Sequence, residues 1–434
     1  MQLTAGFNKE KALLWVESIV GAGHLQVADQ LASAMMQKGL DVHVVSGSLC
    51  RSPELKYGGA TLHTYPENLR IYHDAERGFI AADGTPLAKA AGLLEARHCA
   101  FMQLAGELNP AVMLTEHWPF GRGNLDTEIR SSIIETKLLR PETLVYGSVR
   151  DIMLTAPGDS TCGDPDMAAD TINRYYQNVF VHGDDTFVPF GQTFPQAEMI
   201  DPEKIIHTGY LVHPMPPRID ALENERPVLV STGGGATLQG IQLYKTAIMA
   251  KAHLPEGHEL HNHPWVLMVS PAYPDIVQAE LRELAEAMGV DVTIRTNLPA
   301  HQFRCAISNS KLCVSLSGYN TVIETYAADV PAVLFPFQNA AQGQLFRANA
   351  FAALGKMVVF PQEAGTDASR LIGLMDEALA KQDMTQAPLK LRGEEVVADT
   401  IQRDLEKAYG SARSAYRPEH DLLGLISTHY NWAI

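Results

Sequence analysis

No apolar run in this 434-residue chain approaches the roughly 20 residues needed to cross a bilayer. No stretch near its start has the charged opening, apolar middle and small-residue end of a secretory signal. These two absences lead to the expectation of a cytoplasmic protein with peripheral membrane contact at most. Cysteine is sparse and unpaired in pattern. Cys50, Cys99, Cys162, Cys305 and Cys313 are five, widely spaced, with no C-x-x-C motif, as expected of reduced and mostly packed thiols. Basic residues are outnumbered, 34 Lys and Arg against 50 Asp and Glu, for a net charge of -16. So acidic a surface repels polyanions, and nucleic acid is not an expected partner. Low-complexity segments and short internal repeats are missing as well.

Several nucleotide motifs are incomplete in an informative way. Gly21 and Gly23 follow the first apolar run, but Gln26 stands where a dinucleotide fingerprint needs a third small residue. The second run, Asp41–Ser46, leads to Gly47-Ser48 without the acidic residue that would hold a ribose, so NAD is excluded on two counts. Ser231-Thr232-Gly233-Gly234-Gly235 lacks the lysine of an ATP-binding P-loop. Asp164-Pro165-Asp166 has the spacing of a D-x-D metal motif but reads as a polar loop after a glycine-rich stretch. His253, His258, His261 and His263 lie among Pro255, Gly257 and Pro264, outside any H-E-x-x-H context, and read as a solvated loop rather than a zinc site.

What is present is a repeated alternation of short β-branched runs and helical periodicity. Strands are predicted at Leu13–Ser18, Asp41–Ser46, Val112–Thr115, Thr143–Tyr146 and Val179–His182, with a helix over Val27–Met36. A second series covers Pro227–Ser231, Trp265–Ser270, Val290–Arg295, Leu312–Leu316, Ala332–Phe335 and Met357–Phe360. Helices are predicted at Ala279–Ala287, Asn320–Ala327, Ala368–Lys381 and Glu394–Tyr409. Strands alternating with helices give parallel sheets. The length suits two such domains. The proline-rich stretch Val212–Arg218 separates them. The expected division is 1–211, a linker 212–225, a second domain 226–410, and a tail 411–434 packed on a domain.

The candidate site residues sit in the turns after strands. Val20-Gly21-Ala22-Gly23-His24 is a strand-to-helix turn, and a helix start offers free N–H groups to an anion. The plainer reading is a tight turn. Ser231, Thr232, Gly233, Gly234 and Gly235 open the second domain as a cradle of backbone and hydroxyl donors. The most specific stretch runs from Ser315 to Asn339. Ser317, Gly318, Asn320 and Thr321 start a helix suited to a diphosphate, and Glu324, one turn in, can accept both hydroxyls of a ribose. Gln338, Asn339, Gln342 and Gln344 follow the next strand, and uncharged amides pair with sugar hydroxyls in both senses.

This pattern resembles the GT-B glycosyltransferases of the MurG type, with a glycosyltransferase family 28 C-terminal domain. It is closer still to a bacterial group of predicted glycosyltransferases. The resemblance runs from Leu13 to Tyr409 and is strongest over Ser317 to Ala350. It implies an α/β fold of the GT-B kind: two Rossmann-like domains whose parallel sheets face each other across a cleft. It also implies a nucleotide-diphosphate sugar, expected to be a UDP-sugar, as donor. Gly21, Gly23 and His24 match the family's first glycine loop, and Ser231 to Gly235 match its second. Ser317 and Gly318 match the helix start, and Glu324 matches the ribose-binding glutamate. The family's sugar-contacting glutamine pair is here Gly343-Gln344, so the sugar stays unassigned. Thr115–Arg122, Ser148–Asp151 and Val181–Asp184 are shared with the closer group and are expected on the acceptor side of the cleft.

The implied activity is hexosyl or N-acetylhexosaminyl transfer to an unidentified acceptor, inverting, with no metal and no cofactor beyond the donor substrate. Gly21, Ala22, Gly23 and Arg150 form the expected acceptor or phosphate loop. His24 is the first choice as catalytic base or as diphosphate contact, titrating near neutral pH on a loop aimed at the cleft. Glu116 and Asp151 are alternatives at strand ends, where the competing expectation for either is a structural pair with Arg122 or Arg150. A nucleotide-sugar hydrolase, a nucleotide-sugar epimerase and a non-catalytic nucleotide-sugar-binding partner are the competing readings.

Overall fold

The computed structural model describes residues 9–19, 23–47, 56–74, 77–154, 163–219, 225–296, 298–337, 342–361, 363, 365 and 367–409, with Ala91 described by its backbone alone. Gly21, Ala22, Gln338, Asn339, Cys50, Cys162 and the tail after 409 lie outside these residues.

The first half alternates β1 (Lys11–Val16), α1 (Gly23–Gln37), β2 (Asp41–Ser46), β3 (Thr61–Thr64), the hairpin β4 (Ile71–Asp74) and β5 (Gly78–Ala81), and α2 (Ala91–Leu108). It continues with β6 (Val112–Glu116), α3 (Asp126–Leu139), β7 (Leu144–Arg150), α4 (Pro165–Tyr175), β8 (Asn178–His182), α5 (Phe190–Thr193) and β9 (Ile205–His207). Seven strands form a parallel sheet ordered β3-β2-β1-β6-β7-β8-β9. Residues 211–219, which hold the prolines, have no regular secondary structure.

The second half runs β10 (Val228–Ser231), α6 (Leu238–His253), β11 (Trp265–Met268), α7 (Asp275–Ala287), β12 (Thr293–Arg295), α8 (Ala300–Ser308), β13 (Leu312–Leu316), α9 (Tyr319–Ala327), β14 (Ala332–Phe335), α10 (Gly343–Ala352), β15 (Met357–Val359), α11 (Ala368–Ala380) and α12 (Gly393–Tyr409). Its six strands are parallel, ordered β12-β11-β10-β13-β14-β15. Both sheets thus place their first strand centrally and reverse direction beside it, between β1 and β6 and between β10 and β13. In open α/β sheets ligands enter at that reversal, beyond the carboxyl ends of the strands.

The central strands are buried on both faces, so their sequence reads as continuous apolar runs rather than alternation. Leu13, Leu14 and Val16 are wholly buried, as are Val228 and Val230. Phe101 stacks on Trp15 in the first core at 4.7 Å between ring centres. Cys313 is buried as expected, whereas Cys99 is exposed.

Three features differ from the sequence reading. Helix α12, grouped with the second domain, packs on the first: Val397, Ala398, Ile401 and Leu405 join the core formed by α1 and β2, and Tyr146 donates to Asp404 at 3.1 Å. Its apolar face was legible, but periodicity does not say which domain covers it. Asp164 does not sit in an open loop but caps α4, accepting from the amides of Asp166 and Met167 at 2.9 and 3.3 Å. The amide-rich stretch after β14 becomes helical at Gly343, so Gln344 belongs to α10.

Candidate active site

The ends of β1 and β6 diverge at the first sheet's reversal, and the side chains that follow them meet. His24, in the first turn of α1, presents Nδ1 to both carboxylate oxygens of Glu116, at 2.9 and 2.8 Å. Glu116 closes β6 and is 4% exposed. Its two oxygens accept, so Nδ1 carries the hydrogen and Nε2 of the imidazole keeps its lone pair. Burial, then the charges of Arg150 and Arg122, push the His24 pKa well below the usual histidine value. Burial raises that of Glu116, opposed by His117, Arg150 and Arg122. The imidazole is therefore neutral near pH 7, the form that accepts a proton. The ring of His117 lies 5.1 Å from that of His24. His117 and Arg122 both adopt left-handed backbone (φ 69° and 64°), a conformation seldom held outside sites where the surroundings enforce it.

Arg150, at the end of β7, packs against the start of α1: a Cβ added to Gly23 would meet its Nη2 at 3.0 Å. Its Nε and Nη2 are buried without a hydrogen-bond partner among the described residues, and its guanidinium lies 5.4 Å from the Tyr319 ring centre. A cation with two such donors is suited to an anion.

Across the cleft, Ser317 and Gly318 lead from β13 into α9. The helix start has no side-chain cap, and the Ser317 hydroxyl is wholly buried and unpartnered. The glycine loop after β10 lies against this turn. Gly233 has φ +67°, and a Cβ there would come within 3.3 Å of the Thr321 hydroxyl. Ser231 accepts from the Gly233 amide at 3.0 Å, and Thr232 pairs with Tyr244 at 3.0 Å, so these hydroxyls shape the loop. The carbonyl of Gly234 accepts from Ser270 at 3.1 Å, and Gly235 is reached by Thr232 at 3.3 Å. Glu324 is 8% exposed. Burial raises its pKa to about 7, opposed by Arg304. Gln344 accepts from the Phe337 amide at 3.0 Å.

The two halves touch here. The Asn320 side-chain Nδ2 donates to the Gly23 carbonyl at 3.5 Å and to Gln26 Oε1 at 2.9 Å. Tyr319 donates to the His182 carbonyl at 3.0 Å. Arg347 of α10 pairs with Asp151 at 3.3 Å, and Tyr210 donates to the same carboxylate at 3.0 Å.

The site therefore brings together His24, Glu116, Arg150, Ser317, Asn320 and Thr321, and it separates others. Asp151, an alternative base, is 1% exposed and committed to Arg347 and Tyr210, so it ties the halves together. The Val181–Asp184 stretch, expected to face an acceptor, is used in the same junction. His182 is wholly buried between Ser148 and Thr208 at 2.7 and 3.0 Å. Asp184 accepts from the Lys390 amide at 2.9 Å. The histidine run is dispersed: His258 pairs with Asp376 at 2.8 Å, and His263 meets the Arg226 carbonyl at 2.7 Å. Among the described residues no group of three His, Cys, Asp or Glu could hold a metal, and no helix is long and apolar enough to cross a membrane. Sequence reading missed Arg347 and Arg304; each acts across a gap between elements that no local motif encodes.

Residues 299–403 match the glycosyltransferase family 28 C-terminal domain. No curated protein matches the chain. Among solved structures, a putative UDP-N-acetylglucosamine 2-epimerase from Listeria monocytogenes superposes with a TM-score of 0.57 at 13% identity, over 95% of this chain and 99% of that one. MurG of Acinetobacter baumannii gives 0.54 at 16%, covering 91% and 100%. The calicheamicin glycosyltransferase CalG4 gives 0.52 at 17%, covering 94% and 97%. At these identities the likeness establishes the fold, which is that of the GT-B glycosyltransferases.

Proposed function

From a GT-B chain that carries a family 28 C-terminal domain, we propose a glycosyltransferase that moves a hexosyl or N-acetylhexosaminyl group from a nucleotide-diphosphate sugar, expected to be a UDP-sugar, to an acceptor hydroxyl. His24 Nε2 takes the acceptor proton while Glu116 holds the ring and offsets the imidazolium charge. The acceptor oxygen bonds to the anomeric carbon as the bond from that carbon to the diphosphate oxygen breaks, so configuration inverts. The departing diphosphate gains negative charge. The free amides at the start of α9, the Ser317 hydroxyl and the loop from Thr232 to Gly235 supply donors to it without a metal ion. Glu324 accepts from the ribose hydroxyls.

One observation carries this reading. The Asn320 side-chain amide reaches the Gly23 carbonyl, which supports a proton acceptor and a leaving-group turn on facing sides of the junction. Reaction needs that proximity.

The epimerase likeness supports a second reading on the same fold. Incubation with a panel of nucleotide sugars and no acceptor distinguishes the possibilities. The transferase binds its donor saturably and leaves it intact. Release of free sugar in stoichiometric yield would mark a hydrolase, and conversion to an isomeric nucleotide sugar would mark an epimerase.

Glu324→Ala is expected to weaken UDP affinity by about 100-fold or more, through two lost charge-assisted hydrogen bonds of about 1.5 kcal/mol or more each. Calorimetric titration measures it, and unchanged affinity removes the ribose assignment. The Glu324 pKa near 7 adds a pH signature. The carboxylate form binds, so donor affinity falls as pH drops through about 7. At saturating donor kcat lacks that limb, because His24 titrates well below the ordinary histidine range.

A further inference from the structure

Glu324 has an unusual neighbourhood for an anion. It lies on α9 in a buried position, and among the described residues its charged neighbour is Arg304 of α8. Arg304 Nη1 stands 3.8 Å from Glu324 Oε1, with the two side chains 13% and 10% exposed. That separation is short for a Coulombic attraction and too long for a hydrogen bond. The guanidinium therefore favours the charged carboxylate without occupying the lone pairs that a diol would use. Two more groups face Arg304, from the first domain and the linker. Asp29 of α1 accepts from the Tyr57 amide at 2.5 Å and lies 3.7 Å from His213 Nε2. Burial raises the Asp29 pKa, opposed by the amides of Tyr57 and Lys56 and then by Arg304. Burial and then Arg304 lower that of His213 to about 4, so His213 is neutral and does not compete as a cation.

We propose that Arg304 is a positioning residue of the donor site, whose guanidinium keeps the Glu324 carboxylate charged and oriented for the ribose diol. Arg304 touches neither the reacting atoms nor, in this geometry, the ribose; it acts through Glu324. This rests on the ribose reading of Glu324.

The test follows UDP binding by calorimetry from pH 6 to 9 in the full-length chain, in Arg304→Gln, in Arg304→Lys and in Glu324→Gln. An opposite charge at this distance moves a carboxyl by about 1–3 pH units. Arg304→Gln should therefore shift the acid limb of binding upward by at least about one unit. Affinity should fall about threefold or more at pH 7.5 and recover toward pH 9. Arg304→Lys keeps the charge and should return the limb to its native position. A merely structural loss would be the same at every pH and would not be restored by lysine. Either that pattern, or an Arg304→Gln limb at the native midpoint, overturns the proposal.

A second readout needs no ligand. The carboxyl ¹³C titration of Glu324, identified as the signal missing in Glu324→Gln, should move upward in Arg304→Gln. Should Glu324→Gln and the native chain bind UDP equally, the ribose reading fails. The ¹³C titration then still decides the Arg304 effect, and an unshifted signal overturns it.

Discussion

His24→Ala is expected to lower kcat for sugar transfer by about 10²- to 10⁴-fold, the usual share of a general base, while UDP affinity stays within about twofold. The donor contacts lie across the junction, on α9 and the loop after β10, and do not include the imidazole. Glu116→Gln gives a sharper version of the same test. The side-chain amide can donate to Nδ1 where the carboxylate only accepts, which drives the hydrogen onto Nε2 and removes its lone pair. A rate loss of the same order, with the fold intact by circular dichroism, is therefore expected. If both variants keep near-native rates, proton removal at this pair is wrong. A pre-steady-state measurement of transfer separates the chemical step from product release.

Arg97→Met should have the largest effect on stability. Arg97 is wholly buried in the first domain. It donates to Glu128 at 2.8 Å, to Glu17 at 2.5 Å and to the Leu69 carbonyl at 2.8 Å, and lies 4.3 Å from the Tyr65 ring centre. Removing it strands two buried carboxylates, and breaking a buried pair in this way costs about 3–5 kcal/mol. Glu17 follows β1, its Oε1 accepts from the Gly47 amide at 3.2 Å, and its carbonyl accepts from Arg122 at 2.7 Å. The loss therefore reaches the backbone that leads to His24.

The pH dependence of that loss has a defined sign. Burial raises the Glu128 pKa to about 7 even with Arg97 beside it. Without the arginine it rises further, so the folded state binds a proton that the unfolded state releases. Stability of Arg97→Met then falls as pH rises past the ordinary glutamate range toward and beyond 7. Denaturant unfolding at pH 5 and pH 8 should show a clearly larger deficit at pH 8. Equal deficits would mean that the carboxylates find other partners.

The parts of this arrangement that could be read from sequence are those in which a local pattern has one structural meaning. A β-branched run followed by glycines gave the loop after β10. Ser317-Gly318 before a helical pattern gave the start of α9, with Glu324 one turn along. The identity of the residues across from these turns was less accessible. His24 was visible beside Gly23, but Glu116 could equally have paired with Arg122 or Arg150. Only the parallel register of β1 and β6 brings it to the imidazole. Arg304, Arg347 and Arg97 each join elements far apart in the chain, and a lone arginine carries no pattern. Asp151 and His182 were misplaced for a related reason. The carboxyl ends of β7 and β8 do point toward the cleft, but there they are covered by Tyr210, Tyr319 and Arg347 rather than left to a ligand.

The account rests on a diphosphate held at the junction of the two halves, and a crystal structure of the chain with UDP tests it most directly. Phosphate density is predicted beside the Ser317–Thr321 turn and the loop from Thr232 to Gly235, with both ribose hydroxyls on Glu324. UDP bound elsewhere, or ribose turned away from Glu324, would contradict it.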